Sequence, residues 1–433
     1  MTLDQAFQFL VSCVVILVVF GGIMGLAALM TWGERKLASM IQDRIGPNRA
    51  DLWELLRGIF PSLKDTLKGR FTFWGLFHIL ADPTKLFLKE DFVPRGANKA
   101  LHTLAPMLSL GIPLIVFVVF PLAGPLHISW KDIPVEDLCL LHRLWPDAGI
   151  CPLCSLFPGD ALHLSDYTLK LVAADLDVGM LFVFAVSSLA VYGVILAGWS
   201  SNNKFSFLGA VRGANQMISY EVGLGLSAIG LFMIYGGVSL TGLVEGQAAS
   251  WLTVRLSDSW TLYIPKWGIF TQPLAFILFL TCGMAEIKRI PFDLPEGESE
   301  IVAGYFTEYS SMKFTMFMFG EYVEMILLAA VITTIFFGGY DLPGVSVATF
   351  SQLFGESLSA NTIGLLVALI QALVFATKTV IWVYLIFMIR WSFPRFRYDQ
   401  LMKLGWKMVL PLALVNLIVT GVVISIARGW WNG

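Results

Sequence analysis

Apolar positions along this chain fall in long uninterrupted runs, not in the every-second-residue pattern of half-buried strands. Eight runs stand out, at 8–32, 103–126, 178–199, 222–244, 267–285, 314–340, 358–389 and 408–427. Each is long enough to supply the roughly 20 residues that a helix needs to cross about 30 Å of hydrocarbon. A membrane strand would show a ten-residue alternation instead, so the runs predict helices. The expected fold is an all-α membrane protein with about eight transmembrane helices, a single polytopic domain over 1–433. The uncharged stretch from Gln5 to Gly33 has no Lys or Arg before it and is longer than a signal-peptide core. It is therefore expected to be a first span, not a cleaved leader.

Polar residues between the runs give the topology. Segments 33–102, 200–221, 286–313 and 390–407 hold 22 of the 29 Lys and Arg residues. The positive-inside rule puts all four in the cytoplasm and, with an even number of spans, both termini outside. Within the first segment, Leu52, Leu55, Leu56 and Ile59 recur at helical spacing, and Trp74 is followed by Lys85 and Lys89. Residues 51–90 thus read as an amphipathic cytoplasmic or interfacial segment, and packing against a partner subunit explains them equally well. Segment 127–177, with Pro134, Pro146, Pro152 and Pro158, reads as an extracytoplasmic excursion.

Composition narrows the class. The chain is 57% hydrophobic and only 14% charged, against about 25% charge in soluble globular proteins. A net charge of −2 offers no excess of basic groups for nucleic acid. No four-cysteine set suits an iron–sulfur cluster, and no dinucleotide fingerprint opens a helix after a strand. Cys139, His142, Cys151 and Cys154 have a spacing that allows a disulfide, a metal site or unpaired thiols. Cys13 and Cys282 lie in spans, where packing is the expected role.

The densest chemistry lies in 285–325, which holds eight acids (Glu286, Asp293, Glu296, Glu298, Glu300, Glu308, Glu321 and Glu324) against Lys288, Arg289 and Lys313. Acids near a helix centre cost about 2.5–3.5 kcal/mol each on insertion scales, so these are expected to face water or a partner. Crowded carboxyls repel one another and hold protons, as a proton path requires, although a solvated acidic loop with structural caps has the same composition. Glu221, before span four, belongs with them. Pro291 and Pro295 break any helix continuing from span five, and Asp293 with Glu296 is expected to form a capping box. Two other charged clusters, GERKLASMIQDRIGPNRA at 33–50 and MIRWSFPRFRYDQLMKLGWK at 388–407, suffice on physical grounds as topology anchors.

Taken together with LADPTKLFLKED (80–91), SSLAVYGVILAGWSSNNKFSFLGAVRGANQMISYE (187–221), RIPFDLPEGESEIVAGYFTEYSSMKF (289–314) and GEY (320–322), these stretches carry a resemblance. The chain resembles the H-subunit family of bacterial NADH–quinone oxidoreductase, counterpart of mitochondrial complex I subunit 1, with the motifs in the family's order. The resemblance implies a subunit in the bacterial inner membrane, at the joint of the redox and membrane arms, lining a chamber for ubiquinone or menaquinone. It implies quinone as substrate and no iron–sulfur cluster, flavin or NAD on this chain. The implied partners are the hydrophilic quinone-module subunits, the adjacent small membrane subunits and lipid, with no nucleic acid. By position, Glu34, Arg35, Arg44, Asp82 and Arg390 match chamber residues. Glu221, Glu286, Asp293, Glu296, Glu300, Glu308 and Glu321 match acids of the charged path into the membrane arm, with Arg289 and Asp399 in support. The sequence departs from the family by about twenty added residues after Asn48 and about fifty between spans two and three. Related membrane subunits of a hydrogenase, a formate hydrogenlyase or an F420H2 dehydrogenase are the nearest alternative, and a stand-alone ion transporter is the alternative of another class.

Overall fold

In the computed structural model, residues 3–48, 73–128, 167–248, 250–257, 260–342 and 360–431 are described. Among them seven helices are long and apolar enough to cross a membrane. The predicted segment 51–70 and the residues Cys139, His142, Cys151 and Cys154 lie outside the described residues.

The first helix, α1 (Leu3–Ile41), runs well past its predicted end, so Glu34 and Arg35 sit on a helix and not in a loop. Past a short 3-10 turn, α2 (His78–Leu88) packs against α1 and leaves Leu80, Phe87 and Leu88 exposed. Then α3 (Lys99–Val116) starts at Asn98, whose side chain accepts from the Leu101 amide. Strands β1 (Leu126–Ile128) and β2 (Tyr167–Leu169) pair antiparallel, closing the neck of the 127–177 insertion.

The third run splits into α4 (Gly179–Ser187) and α5 (Ala190–Ser200). The fourth is the largest departure from expectation. Segment 200–221 is not a loop, because α6 (Lys204–Tyr235) already begins at the Asn203 cap. Ala, Gly and Ser positions bury this stretch against neighbours, an apolar face that the two basic residues mask. A left-handed Gly236, with φ 77°, ends the helix, and α7 (Leu240–Ala248) follows separately. A hairpin of β3 (Ser250–Ser257) and β4 (Trp260–Pro265) leads into the fifth run. That run is α8 (Gly268–Thr271) and α9 (Pro273–Glu286), interrupted at Gln272; α9 alone has 14 residues, too short to be counted with the seven.

A short α10 (Glu298–Ile301) follows, then α11 (Ser311–Phe336), α12 (Ala360–Ser392), α13 (Tyr398–Lys403) and, after a π turn, α14 (Leu410–Trp431). The last span thus starts about ten residues before the predicted 408. Helix α11 is the axis of the fold: 78% of its most apolar window is buried, against 22% for the first span and 17% for the last. The outer spans therefore keep apolar faces for lipid or neighbouring chains, while the acids on α11 are held by protein. Close approach to α3 makes this packing possible. A Cβ on Gly320 of α11 would lie 2.9 Å from the Ser109 carbonyl oxygen.

Candidate functional site: a buried charge network beside a cavity

All four segments expected on the cytoplasmic side, the acidic 286–313 among them, meet at one end of the bundle. Arg390, in the last turn of α12, reaches Glu34 on α1. The Phe396 amide donates to the Pro291 carbonyl at 3.0 Å, and Asn203 Nδ2 donates to Glu308 at 2.7 Å.

Glu34 is the hub. Its carboxylate accepts from Arg289 Nη1 at 2.9 Å, from Arg390 and from the Tyr322 hydroxyl at 2.5 Å. Arg289 is 4% exposed and continues to Glu321 at 3.3 Å, with its guanidinium 4.4 Å from the Tyr322 ring centroid. The Tyr305 hydroxyl donates to Glu321 at 3.4 Å. Burial pushes Tyr305 well above the ordinary phenol range and nearby carboxylates add to the shift, so it remains a donor. Such a network is expensive to bury and holds only because each charge has a partner.

The turn 287–310 carries the rest. Gln216 of α6, fully buried, donates to the carbonyls of Ala285 at 2.6 Å and Phe292 at 2.7 Å, fixing where the chain leaves α9. Gly304 has φ +53°, and a Cβ there would stand 1.7 Å from the Pro295 carbonyl oxygen, so only glycine closes this turn. The expected capping box is absent. The helix begins at Glu298, with Gly297 before it and no side-chain cap, because Pro295 packs against Gly213 of α6 and holds the chain in turns. Asp293 instead faces Arg395 at 3.4 Å. Burial raises Asp293 to about 7 despite Arg395, and burial together with Glu321 raises Glu296.

The remaining predicted residues separate into groups. Arg35 pairs with Asp82 at 2.6 Å, with side chains 52% and 33% exposed. Glu300 pairs with Arg212 at 2.5 Å. Glu286 closes α9, half-buried, within electrostatic reach of Glu324 and Glu221. Glu221 lies inside α6 and not at its start. Arg44 is exposed in the turn after α1, and Asp399 pairs with Arg397 at 3.1 Å on the exterior, so neither joins the network. Sequence reasoning misses Tyr322, although its motif GEY is in view, and Gln216, which no charge pattern marks.

A cavity of about 290 Å³ opens between α1, α2 and α11. Arg35, Asp82, Lys85 and Lys89 supply its polar side; Ile79, Met318 and Phe319 are among its apolar lining residues. Tyr322 is also in its wall. The cavity and the network therefore share one residue. An elongated molecule with an apolar tail and a polar head suits such a lining. Among the described residues no group of His, Cys, Asp and Glu is placed to hold a metal ion.

A family model described as NADH dehydrogenase matches residues 13–421. The chain is 38% identical over 421 residues to the H subunit of the NADH-quinone oxidoreductase of Flavobacterium psychrophilum, covering 97% of this chain and 98% of that one. It is 37% identical over 408 residues to an H subunit of the same enzyme from Cytophaga hutchinsonii, covering 94% and 95%. It is 37% identical over 426 residues to the H subunit of the Bdellovibrio bacteriovorus enzyme, covering 97% and 98%.

Proposed function

Because this chain belongs to the NADH dehydrogenase family, we propose that it is the quinone-chamber subunit of a bacterial proton-translocating NADH–quinone oxidoreductase. It is one subunit of an enzyme complex and is not catalytic alone. The cavity between α1, α2 and α11 is part of the path by which quinone reaches a redox centre held on a neighbouring subunit. The network from Glu34 through Arg289 to Glu321 is the first stretch of the acid path into the membrane arm. Quinone reduction changes the charge balance around Glu34, and the turn 287–310 passes the change on towards Glu286 and Glu221. The membrane is the bacterial inner membrane, with the charged end of the bundle in the cytoplasm and both termini outside. The names of the relatives favour this reading over a hydrogenase, formate hydrogenlyase or F420H2 dehydrogenase subunit, and over a stand-alone transporter.

One observation carries the proposal: Tyr322 is a wall residue of the cavity and its hydroxyl donates a hydrogen bond to Glu34, the centre of the network. An event in the cavity thus has a direct contact through which to reach the buried charges. Photoaffinity labelling of the intact complex with a photoreactive quinone tests it. Adducts on peptides of α1, α2 or α11, suppressed by excess quinone, are expected; adducts that avoid all three would end the chamber assignment.

A further inference from the structure

Lys288 and Arg289 are consecutive buried cations that reach two different acids of one helix. Arg289 takes Glu321, and Lys288, 1% exposed, takes Glu324 one turn further along α11. The Lys288 backbone lies in the left-handed region, at φ 63°, which is uncommon for a residue other than glycine. Its ammonium hydrogen-bonds Glu324 Oε1 at 3.4 Å and stands 3.2 Å from Oε2. Oε2 is fully enclosed yet receives no hydrogen bond among the described residues. A buried carboxylate oxygen left so is costly, and an ordered water is the usual remedy.

The space for water is present. Beyond the ion pair lies a separate cavity of about 50 Å³, lined by Glu324, Glu286, Ser187, Val183, Leu328 and Val331. A water needs about 10–15 Å³ of such space and two to four polar partners. The two carboxyls and the Ser187 hydroxyl provide them in an otherwise apolar chamber. Glu324 thus faces the Arg289–Glu321 network on one side and, across the cavity, Glu286 on the other.

We infer that this small cavity is a hydrated proton-transfer step in which Glu324 carries protons between the Glu321 network and Glu286, with Lys288 as its counter-ion. The inference deepens the proposed charge path and rests on it. A proton leaves one carboxyl for cavity water while that water gives a proton to the other carboxyl; no bond other than O–H changes. When Glu324 is protonated, Lys288 loses its anion, so each transfer alters the charge beside Arg289. A purely structural ion pair would behave differently. Replacing both partners of such a pair by apolar groups of similar size is often neutral for stability.

The test uses the assembled complex in inverted membrane vesicles, comparing the single variant Glu324→Gln with the double variant Lys288→Met/Glu324→Met. Proton translocation at saturating quinone is expected to fall by roughly tenfold or more in both. The double variant is expected to assemble normally, as judged by native gel. Wild-type translocation in the assembled double variant would overturn the inference. If the double variant fails to assemble, the single variant decides, together with a high-resolution map of the intact wild-type complex. Ordered water between Glu286 and Glu324 supports the step, and a dry cavity overturns it. Variants Glu321→Gln and Glu296→Gln separate this idea from its premise. Normal translocation in those two would remove the charge path itself, whereas a defect there with a normal double variant would remove only the Glu324 step.

Discussion

Tyr322 donates a hydroxyl hydrogen bond to Glu34 across 2.5 Å and is itself one of the wall residues of the larger cavity. The donor is phenolic and the acceptor is a carboxylate, so the bond is charge-assisted and among the stronger kinds. Glu34 also holds two guanidinium groups, so a change at Tyr322 is felt by both arginines at once.

Tyr322→Phe removes that bond and leaves the wall intact. A hydrogen bond to a charged group contributes about 1.5–3 kcal/mol, and the rate of quinone reduction is expected to fall about tenfold with little change in the KM for quinone. NADH-driven reduction of a short-chain quinone in membranes measures both constants. A raised KM with an unchanged maximal rate would show that Tyr322 serves only to shape the cavity.

Arg289 is the bridge between two acids, and removing it should be far worse than removing either acid. Arg289→Met leaves Glu34 and Glu321 buried with one cation fewer, a change that costs about 3–5 kcal/mol for a broken buried pair. Loss of assembled complex on native gels is the expected result. Glu321→Gln, which keeps shape and hydrogen-bonding capacity, is expected to assemble. Equal assembly of the Arg289→Met and Glu321→Gln chains would contradict the bridging role.

Much of this arrangement is legible in the sequence because charge in an apolar chain is conspicuous. Hydropathy marks the runs around Glu321 and Lys378, and crowding marks Asp293, Glu296 and Glu300. What is not legible depends on neutral residues and on packing. The stretch Lys204–Tyr235 looks like a loop followed by a span, yet Gly209, Gly213 and Gln216 bury its first turns against the acidic segment and make it one helix. Local spacing suits Asp293 to a helix cap. The structure spends that carboxylate on Arg395, a residue 102 positions away that no local pattern could supply.

Asp293 gives a pH dependence whose sign can be worked out. An unperturbed aspartate ionises near 3.8, and burial raises this one to about 7. Between those values the folded chain keeps a proton that the unfolded chain has released, so stability falls as pH rises through the window and levels off above it. The melting temperature of the wild-type complex is therefore expected to drop, relative to Asp293→Asn, from about pH 4 to about pH 7. A protonated-carboxyl infrared band present at mildly acidic pH, lost at alkaline pH and missing from Asp293→Asn would accompany it. Parallel melting curves at all pH values would mean that this carboxyl is ionised throughout.

Lys378 offers a contrast, because it is a charge within a span that the fold uses up. Its ammonium donates to the carbonyls of Phe337 at 2.8 Å, Gly339 at 3.0 Å and Asp341 at 2.7 Å, and it lies 5.0 Å from the Trp267 ring centroid. Three donors meet three acceptors, which leaves no hydrogen-bonding capacity for a proton path. The carbonyls belong to the turn that ends α11, a turn also held by Gln247, which accepts from the Gly338 amide at 3.1 Å. Lys378→Met strips that turn of its donors at a cost of about 1–3 kcal/mol for each carbonyl left unsatisfied. Less complex should accumulate, and it should melt at a lower temperature. The fraction that does assemble should move as many protons per electron as wild type. A lowered ratio in the assembled enzyme would instead put Lys378 on the translocation path and make its three carbonyl contacts one state of a moving group.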